Sequence, residues 1–140
     1  MLYKTRKDGE NMPKSIITKQ NFINQWLKHF AKDVTKENIA KYVKDQCIWH
    51  VFSWNLLSSD AYLTGDDARR AYDEADKSNC TYCDMFGKNG VTDNLLDEYN
   101  SSKEIDSKII ELYVISNDYS WTYIKTHEND LCGPYFMKIK

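Results

Sequence analysis

The sequence predicts an α+β domain in which N-terminal helices pack on one face of a C-terminal antiparallel β-sheet. Apolar residues recur at helical spacing in the first third of the chain, while the last third reads as short strands around a turn at Asn117-Asp118-Tyr119. The third observation is size and composition: 140 residues, 41% hydrophobic and 14% aromatic. A chain of this length buries about 70% of the surface its unfolded form exposes, enough for one real core.

Residues 1–14 are polar and carry Gly9 and Pro13, so they are expected to form a flexible N-terminal tail ahead of a single domain over 15–140. From Thr18 to Lys32 the residues Phe22, Ile23, Trp26, Leu27 and Phe30 fall on one face of a helix. Thr35 is a good N-cap for a second helix with Ile39, Tyr42 and Val43 on its stripe. Cys47 to Trp54 is dense in β-branched and aromatic residues and short, which predicts a strand. Thr64 or Asp66 then caps a helix in which Ala68, Ala71, Tyr72 and Ala75 align, its small residues permitting close packing. Cys80 to Gly90 reads as irregular, and a short helix holds Leu95, Leu96 and Tyr99 before Ser101-Ser102-Lys103 ends it.

The remainder predicts a hairpin, Lys108 to Ser116 and Ser120 to Glu128, followed by a strand from Tyr135 to Ile139 after the Gly133-Pro134 turn. A two-residue loop would oppose Ile110 to Lys125 and Glu111 to Ile124. A three-residue loop instead pairs Leu112 with Ile124, Tyr113 with Tyr123 and Glu111 with Lys125, each worth about 0.2–1 kcal/mol. In that register Ile110, Leu112, Val114 and Ile124 face the helices. The opposite side carries Glu111, Tyr113, Ile115, Trp121, Tyr123, Lys125 and His127, either as a contact surface or as a second core beneath a helix or the tail.

Charge is unevenly spread around a net −2. Residues 1–46 carry +5, 47–107 carry −7, and 108–140 are balanced. The lysines of the first third are dispersed among acids, which argues for a solvated face and against nucleic-acid binding. An acidic middle segment suits a basic protein partner, such as a toxin, although a solvated face is its plainer reading. No apolar run approaches a membrane span of about 18 residues, and the N-terminus lacks a secretory h-region, so a cytoplasmic protein with reduced cysteines and no membrane partner is expected. The sequence carries no signal for oligomeric state.

Catalytic signatures are missing: there is no G-x-S-x-G, P-loop, H-E-x-x-H or dinucleotide fingerprint. Cys80-Thr81-Tyr82-Cys83 is a lone C-x-x-C without a second ligand pair, so neither a metal nor any cofactor is expected. The candidates for acid–base chemistry are His50 and His127, with Glu111 as a carboxylate able to orient the imidazole. Strand alternation turns Glu128 away from His127, so a partner must come from another strand, Glu111 or His50. The candidates for binding are Tyr113, Trp121, Tyr123, Lys125 and His127.

Trp49-His50-Val51-Phe52-Ser53, Gly65-Asp66-Asp67-Ala68-Arg69, Ser120-Trp121-Thr122-Tyr123 with Thr126-His127-Glu128, and Gly133-Pro134-Tyr135-Phe136 occur in this order. Together they resemble a small bacterial family of single-domain proteins of unknown function, chiefly from Bacillus-type Firmicutes, over most of the chain beyond residue 15. The resemblance implies a stand-alone bacterial cytoplasmic protein and carries no catalytic residue with it. The expectation is a non-enzymatic interaction protein of the immunity or antitoxin kind, with a small enzyme using His50 and His127 as the competing class.

Overall fold

Thr18 opens the described part of the chain by capping a helix, its side chain accepting the Asn21 amide at 3.1 Å. The computed structural model describes residues 18–43, 47–87, 90–108, 110–128 and 132–139. The expected tail over 1–14 lies outside the described residues. Helix α1 (Lys19–Phe30) buries Phe22, Ile23, Trp26 and Phe30, the stripe its spacing requires. Thr35 caps α2 (Lys36–Tyr42) by accepting from the Asn38 amide at 3.1 Å.

The segment expected as a strand, Cys47 to Trp54, is instead a turn leading into helix α3 (His50–Ser53). Ile48, Val51 and Phe52 are all buried and sit at i, i+3 and i+4, a helical spacing inside a run dense enough in apolar residues to hide it. Asn55 then takes a left-handed conformation (φ 57°) and Trp54 is left 57% exposed.

A 3-10 turn, Ser59–Ala61, leads into strand β1 (Tyr62–Thr64) and helix α4 (Gly65–Glu74). Next come β2 (Cys80–Asp84), β3 (Val91–Thr92), a 3-10 turn at Asp97–Tyr99 and α5 (Ser102–Asp106). The chain closes with β4 (Leu112–Ser116), β5 (Trp121–Lys125) and β6 (Tyr135–Lys138). Among the described residues six strands form one antiparallel sheet in the order β1-β6-β5-β4-β2-β3. The fold is α+β, with helices toward the N-terminus and the sheet weighted toward the C-terminus.

Two corrections concern this sheet. Cys80 to Asp84, expected to be irregular, is an internal strand whose five residues are all buried. With both faces covered, such a strand has no polar alternation to announce it. The hairpin register is also one residue from the expected one: Leu112 pairs with Lys125, Tyr113 with Ile124, Val114 with Tyr123 and Ile115 with Thr122. The loop is residues 117–120, because the Ser116 hydroxyl gathers the Ser120 and Trp121 amides at 3.0 and 3.1 Å. Tyr119, at φ 59°, takes a conformation that glycine would ordinarily supply. Its ring stacks on His29 at 3.7 Å, a tertiary contact that holds the turn.

A one-residue slip exchanges the faces of one strand relative to the other. Tyr113 and Ile115 therefore join Ile124, Cys83 and Tyr135 beneath α1 and α3. Leu112 and Val114, expected on that side, face the other way, with Cys80, Tyr82, Trp121, Tyr123 and Phe136 against α4, Tyr99 and Ile105. The sheet is thus covered on both faces rather than one. On the α1 side the Trp26 indole donates to Thr122 Oγ1 at 2.9 Å, and that hydroxyl donates to the Val114 carbonyl at 2.6 Å. On the α4 side the Tyr72 ring stacks on Tyr123 at 4.4 Å while its hydroxyl donates to the Tyr99 carbonyl.

Candidate functional site

Glu111 is the one buried carboxylate beside a histidine among the described residues, and three elements converge on it. It lies just before β4, where its carbonyl accepts the Met85 amide at 2.9 Å and so extends the β2–β4 ladder. The turn into α3 brings the Trp49 indole, which donates to Glu111 Oε1 at 3.1 Å. The Tyr113 hydroxyl, two residues along β4, donates to Oε2. His127 closes the cluster, with Nδ1 2.5 Å from Oε1. An ionised carboxylate only accepts, so this contact selects the tautomer with its proton on Nδ1 or the doubly protonated ring.

His127 reaches back because β5 ends at Lys125. Thr126 donates its hydroxyl to the Cys132 carbonyl and accepts the Glu128 amide at 3.2 Å, curling the chain into a turn. In that turn strand alternation no longer applies, and Glu128 Oε2 comes within 3.2 Å of His127 Nε2. The expectation that Glu128 must point away is corrected by the early end of the strand. The ring is 41% exposed, held between a fully buried carboxylate and a half-exposed one. Burial first, and then the neighbouring Glu111 charge, hold the Tyr113 hydroxyl well above the usual tyrosine range, so it stays a donor.

His50 is elsewhere. Its Nδ1 lies 2.8 Å from the Tyr42 carbonyl, and Trp49 packs against both its ring and that of His127, at 4.4 and 5.9 Å between centroids. Of the other residues read as a binding face, Tyr113 sits in the α1-side core and Tyr123 in the α4-side core, neither with any exposure. Lys125 is also buried. These three do not share an open face, because the register shift places them on opposite sides of a doubly covered sheet. Cys80 and Cys83, three apart on a strand, likewise enter opposite cores and cannot meet on one metal or in one disulfide. Burial pushes their thiols up to about 11 and about 12. Among the described residues no group of three or more His, Cys, Asp or Glu side chains could hold a metal ion.

Trp121 retains an opening to the surface. It stacks on Phe136 at 5.4 Å and 19°, and the pair floors a cleft of about 710 Å³ between α4 and β1. Asp60, Glu74 and Asp76 line this cleft together with Lys138. Trp49 as a donor to Glu111 and Phe136 as half of the cleft floor were missed in the sequence. The first was hidden by the strand reading of its segment, and the second by the separation of β1, α4, β5 and β6 along the chain.

The chain belongs to a family described as Domain of unknown function (DUF4275), whose model matches residues 10–136. No curated protein and no solved structure matches it. No helix among the described residues is long and apolar enough to cross a membrane.

Proposed function

We propose that this protein is a non-enzymatic interaction module, bacterial and cytoplasmic as its motifs imply, whose acidic side receives a basic protein partner. An immunity protein or antitoxin facing a basic toxin is the kind of pairing meant. The observation that carries the reading is where the acidic middle segment folds. α4, the Asp97–Tyr99 turn and α5 all cover the same face of the sheet, so Asp66, Asp67, Asp73, Glu74, Asp97, Glu98, Glu104 and Asp106 belong to one layer. Some of this charge is already balanced: Arg69 bonds Asp66 and Asp106 at 2.8 and 2.7 Å, and Arg70 bonds Asp67 at 3.0 Å. Glu74, Asp97 and Glu104 of the same layer leave a field that steers a cationic partner and speeds encounter at low salt.

The test is co-purification of the tagged protein with binding partners at graded salt, against a variant carrying Glu74→Lys, Asp97→Lys and Glu104→Lys. A basic protein retained by the wild type, released by salt and absent from the variant is expected. The same set of proteins on both baits removes the reading.

A second reading rests on the 2.5 Å contact between Glu111 and His127. A buried carboxylate fixing Nδ1 is how a histidine is oriented as a general base, with Nε2 the working atom once Glu128 swings aside. Screening ester and phosphoester hydrolysis with the wild type and His127→Ala tests it; a rate indifferent to the substitution excludes His127 as the base.

A further inference from the structure

We infer that the cleft between α4 and β1 seats the guanidinium side chain of an arginine presented by the basic partner. This inference rests on the interaction reading above and names the point at which that partner is gripped. The cleft exists because the small Ala71 of α4 and Ala75 at its C-cap line it, leaving space above the sheet. Its floor is the stacked Trp121–Phe136 pair, residues that keep a sliver of exposure at 7% and 6%. Leu63, 43% exposed, also lines it. A planar cation on an apolar stem fits such a mixture: the stem lies along apolar surface, the guanidinium stacks on aromatic groups and its fork reaches carboxylates.

Three carboxylates against one ammonium line the cleft. Two of them are fixed in place without being neutralised: Asp60 accepts from the Ser58 hydroxyl, and Asp76 accepts the Ser78 amide at 2.9 Å. That amide holds the Asp76 carboxyl below its ordinary range, so it remains an anion. The exposed Glu74 side chain at the end of α4 makes no hydrogen bond or ion pair among the described residues. Lys77, next in sequence to Asp76, is turned away from this role. Its ammonium donates to the carbonyls of Tyr72, Asp73 and Ala75 at 2.8, 3.2 and 3.1 Å, closing the end of α4. The charge of the cleft is therefore left for a cation from outside. A bidentate arginine–carboxylate contact is stronger and more directional than the contact an ammonium makes, which favours arginine over lysine.

The experiment titrates fluorescein-labelled hexa-arginine and hexalysine peptides with the full chain, read by fluorescence anisotropy at low ionic strength. Three variants are compared: Glu74→Gln with Asp76→Asn, which removes cleft charge and keeps the Asp76 acceptor; Ala71→Leu, which fills the cleft; and Asp97→Asn with Glu104→Gln, on the same acidic layer but outside it. Circular dichroism confirms that each is folded, and the exposed Glu74/Asp76 pair decides the matter if Ala71→Leu is not. Hexa-arginine binding about tenfold weaker or more in the Glu74/Asp76 variant, and less than about twofold weaker in the Asp97/Glu104 variant, is the expected result. Equal weakening by the two pairs overturns the cleft and leaves the acidic-face reading standing. Hexalysine binding as tightly as hexa-arginine overturns the arginine assignment. No binding of either peptide to the wild type overturns both readings.

Discussion

Tyr113 and Tyr123 differ in one respect that a single oxygen atom can test. Both rings are wholly buried, on neighbouring strands, but the Tyr113 hydroxyl donates to Glu111 while the Tyr123 hydroxyl has no hydrogen-bond partner among the described residues. Tyr113→Phe removes a hydrogen bond to a buried carboxylate, costing about 1.5–3 kcal/mol. Tyr123→Phe removes a hydroxyl whose burial is already uncompensated. Such a group costs about 1–3 kcal/mol to bury, and losing one atom returns only a small cavity penalty, so the variant should gain about 1 kcal/mol. Urea unfolding measures both. With a slope of about 2 kcal/mol per molar for a chain of this size, the midpoint should fall by about 1 M for Tyr113→Phe and rise by about 0.5 M for Tyr123→Phe. Shifts of the same sign and size would refute the reasoning, because they would mean that the two hydroxyls have equivalent surroundings.

Other perturbations probe the remaining contacts. Glu111→Ala should destabilise by about 3–5 kcal/mol, since it strands the Trp49 indole, the Tyr113 hydroxyl and the His127 ring at once; Glu111→Gln, which keeps one acceptor, should cost visibly less in the same urea assay. Asp73→Ala should cost about 1 kcal/mol of thermal stability, because Asp73 accepts both the Ser102 amide (2.7 Å) and its hydroxyl (2.8 Å) at the start of α5. Cys80 and Cys83 have folded-state values raised by burial to about 11 and about 12, above the ordinary thiol value of 9.0. Their contribution to stability is therefore full below about pH 9 and lost as pH rises through 11 and 12, and the urea midpoint should fall across that alkaline window while acid leaves these two groups without effect. With a disulfide reagent at pH 8, the half-buried Cys47 and Cys132 should react first, and Cys80 and Cys83 only on unfolding.

The helices readable in this chain are those with one covered face. α1 and α4 display their stripes plainly because one side of each helix meets solvent, and the caps at Thr18 and Thr35 work through local atoms alone. β2 and the turn into α3 went unread for the opposite reason. Residues buried on all sides lose the polar positions that reveal a period, so Cys80–Asp84 looked irregular and Ile48–Phe52 looked extended. The hairpin was found and its register missed, since the loop depends on Tyr119 stacking against His29, ninety residues upstream.

The same distinction explains what could be foreseen of the site. The Glu111–His127 pairing could be proposed because alternation on adjoining strands limits which carboxylates can reach the ring, yet the Glu128 contact required knowing that β5 stops at Lys125. Trp121 lies on the α4 side of a doubly covered sheet, and the opening it keeps is lined by Ala71 of α4 and Ala75 at its C-cap, residues far from it in sequence. Charge behaved differently from both. Because α4 and α5 dock on the same side of the sheet, tied together by Arg69–Asp106 and Asp73–Ser102, a bias spread along the sequence became a bias across one layer of the molecule. A partner that recognises this layer is therefore reading a property set by topology. Single neutralisations scattered over it should weaken binding in small, roughly additive steps, and only within the cleft should one or two carboxylates count for most of it.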